Sequence, residues 1–122
     1  MKFSQFLEEN ATRSSHNEGF ELVIGEGQHI VIYGVDSDVA RQIAIERYRI
    51  DPSNGDVADQ VRKLYARLVK SWSFDEPVTV ELAEELFREY PFIYDKVLDN
   101  YSKRSNFMKS RSASSANTQN LK

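Results

Sequence analysis

The chain has no cysteine, so disulfides, iron–sulfur clusters and thiol catalysis are excluded. It has two histidines, His16 and His29, and neither has a carboxylate beside it at metal-ligand spacing. No apolar run approaches the roughly 20 residues that a membrane helix needs. The first residues, MKFSQFLEEN, turn acidic at Glu8, unlike a secretory signal peptide. Proline occurs three times and glycine five, few enough that each marks a break. No Gly-rich phosphate loop is present: Gly25-Glu26-Gly27 is too short for a dinucleotide fingerprint and precedes a strand. Asp36-Ser37-Asp38 opens like a calcium loop but has Arg41 and Arg47 at the sixth and twelfth positions. No serine stands in a nucleophile-elbow context.

What remains is a chain of 122 residues, 40% hydrophobic and 29% charged, the size of one domain. The net charge of −3 hides a split. Residues 1–94 carry 10 basic and 17 acidic side chains, a net −7, and residues 95–122 carry 6 and 2, a net +4. An acidic body argues against a nucleic-acid face, which needs clustered positive charge. The basic end reads as a solvated helix end and tail, or as a contact for an acidic partner or for phosphates.

The patterning predicts a mainly α protein with a small N-terminal β-hairpin, an α+β domain over 1–109 with a disordered tail over 110–122. Phe3, Phe6 and Leu7 form one side of a short helix. Asn10 to Gly19 is polar and reads as a loop. Phe20, Leu22 and Ile24 alternate with Glu21, Val23 and Gly25, and Gln28 to Val35 returns, giving a hairpin over about 20–35. Two strands alone are marginal, so the hairpin lies on helices or pairs with another chain, the route to self-association.

Helices are expected over about 38–49, 56–72, 79–90 and 91–108. Asp36-Ser37-Asp38, Asp56 and Thr79 supply caps for the first three. Val57, Val61, Leu64, Tyr65, Leu68 and Trp72 form the cleanest apolar stripe. Pro91 suits a helix start, so Tyr90-Pro91 is a junction or a kink. Glu84-Glu85 reads as a solvated face. Trp72 and Phe74, at a helix end, are core or an exposed partner site, with core the commoner fate of such residues.

Three segments together carry a family resemblance: the hairpin followed by Gly34-Val35-Asp36-Ser37, the stretch Ser71-Trp72-Ser73-Phe74-Asp75-Glu76-Pro77-Val78-Thr79, and Leu86-Phe87-Arg88-Glu89-Tyr90-Pro91-Phe92-Ile93 leading to Val97-Leu98-Asp99-Asn100-Tyr101-Ser102. In this order they resemble the tail assembly chaperones of long-tailed bacteriophages and prophages, over roughly residues 20–108. The stretch from Trp72 to Pro77 is the most specific piece. The polar C-terminus looks like the short form of a family whose members often gain an extension by ribosomal frameshifting.

The resemblance implies a non-enzymatic protein of the host cell cytoplasm, without cofactor or metal. It implies binding of the tape measure protein, protection of that client from aggregation, recruitment of major tail protein, and departure before the virion is complete. Nucleic acid and membrane are not expected partners. Gly34, Asp36, Ser37, Trp72, Phe74, Asp75 and Pro77 are the motif residues, structural or partner-binding. Lys103, Arg104, Lys109 and Arg111 are candidates for steering a client. The competing expectations are a structural tail or head–tail connector component, and a small helical DNA-binding regulator.

Overall fold

The hairpin forms because its apolar side chains fall on one face. In β1 (Phe20–Gly25) Leu22 is buried and Phe20 and Ile24 half-buried, while Glu21 and Val23 face out. In β2 (Gln28–Ile32) Ile30 and Ile32 are fully buried. Phe20 pairs with Ile32 and Leu22 with Ile30 in an antiparallel register. Gly27 turns the chain at φ 72°, a left-handed conformation that an L side chain resists. The computed structural model describes residues 1–9 and 12–107. The expected tail over 110–122, with Lys109 and Arg111, lies outside the described residues.

The hairpin gains a third strand from the segment expected to be helical. Helix α4 (Val57–Tyr65) stops well short of residue 72, a 3-10 turn (Ala66–Leu68) follows, and Val69–Trp72 is strand β3. The sheet order is β1-β2-β3, all antiparallel, with Ile30 opposite Trp72 and Val31 opposite Ser71. The spacing of Leu64, Leu68 and Trp72 fits a helix equally well, but β2 has an open edge whose amides and carbonyls need partners. Extending the stripe would leave that edge bare; turning into β3 closes it and buries Leu68 and Val69. The architecture is thus mixed α+β, and its sheet is larger than a hairpin.

The second correction is at the N-terminus. Helix α1 (Phe3–Glu9) is present as expected, with Phe3, Phe6 and Leu7 exposed. The expected polar loop contains a second helix, α2 (Thr12–Glu18). Its polar sequence gave no apolar stripe, yet Ser15 and His16 are buried. The helix ends at Gly19, φ 102°, whose amide donates to the Ser15 carbonyl at 3.1 Å.

The other helices follow their caps. Ser37 accepts from the Ala40 amide to open α3 (Asp38–Arg47). Asp56 accepts from Asp59 at the head of α4, and Thr79 from Leu82 at the head of α5 (Val80–Glu89). Pro91 starts α6 (Pro91–Tyr101), so Tyr90-Pro91 is a junction between two helices. Helix α6 ends seven residues before the expected boundary; a 3-10 turn (Arg104–Phe107) bends the chain back so that Phe107 is buried. One core cluster runs from Leu22 to Phe107, with Ile43, Leu68, Ala83, Phe87 and Val97 among its most buried members.

Glu84 leaves the solvated face expected of it. It bridges α4 and α5 by accepting from Arg62 at 3.0 Å and Arg88 at 2.7 Å, and it is only 14% exposed. Arg62 also pairs with Asp59. These partners hold the Glu84 carboxyl below its usual range against the opposing effect of desolvation.

Candidate functional site: a buried latch and an acidic-rimmed aromatic groove

The motif residues divide between two places. Gly34, Asp36 and Ser37 lie in the segment that leaves β2, where the backbone donors go to three separate elements. The Tyr33 amide donates to the Leu68 carbonyl, that of Gly34 to His16, and that of Val35 to Tyr101 at the end of α6. His16 occupies the space a side chain at 34 would need: a Cβ built there falls 2.0 Å from its Nδ1. The same nitrogen accepts the Asp36 amide at 2.9 Å, so the neutral ring carries its hydrogen on Nε2. Phe107 stacks on the ring at 4.5 Å.

Asp36 completes this latch through its side chain. Its carboxylate accepts two hydrogen bonds from Arg104, at 2.8 and 3.1 Å. That guanidinium holds the Asp36 carboxyl below its usual range. His16 is fully buried, and burial pushes its pKa down although the Asp36 carboxylate, 3.7 Å from Nε2, pulls the other way. Nε2 has no hydrogen-bond partner among the described residues. The latch therefore ties α2, the 33–37 segment, α3 and the last turn together. Arg104, a candidate for client steering, is held in this pair, and Lys103 pairs with Asp99 at 3.0 Å.

Trp72, Phe74 and the residues after them form the second place. Trp72 closes β3, and its indole N–H donates to the Glu76 carbonyl at 2.6 Å, folding the connector back on the ring. Phe74 meets that ring edge-on, with centroids 5.3 Å apart. Pro77 then leads the chain out to Thr79, while Asp75 and Pro77 are themselves exposed. The two rings face Leu82, Leu86 and Tyr90 of α5 and its end across a groove of about 290 Å³. Both rings are half-buried. Trp72 rests on the core with one part and lines the groove with another. Tyr90 extends the aromatic surface to exposed Phe92, 6.1 Å between centroids.

The groove rim is acidic. Glu76, Glu85 and Glu89 line it, and no lysine or arginine does. These glutamates escaped the reading from sequence, which weighed Glu84 and Glu85 as one face. A larger depression of about 510 Å³ lies beside Tyr33, Val39, Val69 and Val80, but its basic residues are engaged. Arg67 pairs with Glu46, and Lys70 donates to the carbonyls of Asn17 and Glu18. His29, on β2, sits 3.8 Å from Glu21 at the surface. Among the described residues, no three His, Cys, Asp or Glu side chains gather to hold a metal. No helix of the described residues is long and apolar enough to cross a membrane.

No protein-family model matches the sequence, and no curated protein or solved structure is significantly similar to it.

Proposed function

We propose that this protein is a tail assembly chaperone of a long-tailed bacteriophage or prophage, acting in the host cytoplasm by binding rather than catalysis. It holds segments of the tape measure protein in soluble form, brings major tail subunits to them, and is displaced as the tail polymerises. The observation that carries the reading is the position of the most specific motif stretch. Trp72, Phe74 and Glu76 of that stretch line one wall of an open apolar groove, with Leu82, Leu86 and Tyr90 facing them. A groove of this kind suits an amphipathic helix, which lays its apolar stripe against aromatic and aliphatic anchors. The acidic body keeps a loaded complex apart from others of its kind.

The test is co-expression with the tape measure protein of the same genome, then pulldown at low and high salt. Soluble client that stays bound at high salt supports an apolar groove. Client that remains insoluble and absent from the pulldown removes the chaperone reading. Mass spectrometry of purified virions adds a second check: a chaperone is absent from the particle, whereas a tail or connector component is present.

A further inference from the structure

We infer that the groove between Trp72 and α5 selects an amphipathic helix flanked by lysine or arginine, and rejects one flanked by acids. The inference deepens the chaperone reading and rests on it for the identity of the client; the charge selection applies to any helix the groove accepts.

The apolar floor supplies affinity without choosing a charge. The choice comes from the rim. Glu85 and Glu89 are one helical turn apart on α5, so their carboxylates are neighbours, and Glu76 stands on the facing wall. All three are exposed, and none takes part in an ion pair among the described residues. Glu84 gives the internal contrast. One residue away it turns to α4 and is satisfied by two arginines. Like charges one turn apart disfavour their own helix, and no ion pair among the described residues offsets that for Glu85 and Glu89. An external cation does. A lysine or arginine on the flank of a docked helix can lie its hydrocarbon stem along Tyr90 or Trp72 and place its charge among the carboxylates. An acidic flank meets three like charges beside a low-dielectric surface.

The chain contains a single tryptophan, and it lines the groove, so its emission reports occupancy. Two synthetic peptides of about 18 residues serve as probes, long enough to form helices on binding. They share one apolar stripe of leucines and lack tryptophan; one carries lysine flanks and the other glutamate flanks. Titrated into the full chain at low salt, the lysine peptide is expected to bind about tenfold more tightly, since several modest exposed pairs act together. The preference should shrink at about 1 M salt, where screening acts within about 3 Å. Glu85→Lys with Glu89→Lys should reverse it. If that variant fails to fold, Glu85→Gln with Glu89→Gln should weaken it.

Equal binding of the two peptides, a preference for the glutamate peptide, or an unchanged Trp72 signal with both overturns the inference. The two readings fail separately. Selection of the lysine peptide with a tape measure protein that stays insoluble removes the chaperone reading and leaves the groove's selectivity. A client solubilised equally by the wild type and the charge-reversed variant removes the selectivity and leaves the chaperone reading.

Discussion

A Cβ at position 34 would lie 2.0 Å from Nδ1 of His16, closer than two nonbonded atoms can approach. Gly34 is therefore required by a residue on α2, 18 positions earlier in the chain. The ring has no room to yield, because Phe107 stacks on it and the Gly34 amide is bonded to the His16 carbonyl at 3.1 Å. Gly34→Ala should destabilise the fold by about 1 to 3 kcal/mol, the usual scale of overpacking, or more. In a His16→Ala background most of that further loss should disappear, because the clash partner has gone. Urea melts of the four proteins measure the coupling. An undiminished Gly34→Ala effect without His16 would assign the strain to the backbone.

The same pair gives the stability a direction with pH. Burial lowers the His16 pKa in the fold below its ordinary 6.5. The folded state then binds fewer protons than the unfolded one, so stability is full above about pH 6.5 and falls as the pH drops below it. Asp36, lowered from 3.8 chiefly by Arg104, adds a loss of the same sign at more acidic pH. Thermal melts should show a decline beginning between pH 6.5 and 5, before surface carboxylates titrate. His16→Gln keeps an acceptor for the Asp36 amide and lacks the titration, so its decline should begin only in the carboxylate range. A wild-type profile flat from pH 7.5 to 5 counts against this account.

Leu68 and Leu82 separate core from groove. Leu68 is fully buried and Leu82 is 37% exposed. Leu68→Ala should cost about 2 to 5 kcal/mol, as for a buried leucine. Leu82→Ala should cost less than about 1 kcal/mol. Chemical denaturation of both variants checks the difference, and similar losses would mean that the Leu82 surface is packed in solution.

The legibility of this chain differs from element to element for physical reasons. Ser37, Asp56 and Thr79 cap the helices that their sequence neighbourhoods announced, because capping is a local interaction. The end of α4 was not readable locally. Leu64, Leu68 and Trp72 keep helical spacing, and only the open edge of β2, some 40 residues away, turns the chain into β3. Helix α2 had no apolar stripe to announce it, since buried His16 and Ser15 are its anchors; Gly19 at its end was the signal available. The Gly34-Val35-Asp36-Ser37 motif stood out in sequence, but its partners, His16 and Arg104, lie 20 and 68 residues from Asp36. The groove was half legible: Trp72 and Phe74 were visible, while the rim needed the rotation of α5 to separate Glu85 from Glu84.

Truncating the groove should remove client binding while sparing the fold. Phe74 and Tyr90 are the cleanest probes, because Trp72 also rests on the core. Phe74 is half-buried and Tyr90 is 52% exposed, so Phe74→Ala with Tyr90→Ala should leave the circular dichroism spectrum unchanged and lower the thermal midpoint only slightly. Aromatic side chains at the centre of a groove carry a disproportionate share of binding energy. Recovery of co-expressed tape measure protein should therefore drop about tenfold or more. Tyr48→Ala is the control, since Tyr48 is 94% exposed and lines no part of the groove; it should recover client at the wild-type level. If the double variant also recovers client at that level, the contact lies elsewhere on the molecule, and the link between the Trp72 to Pro77 stretch and client holding is lost.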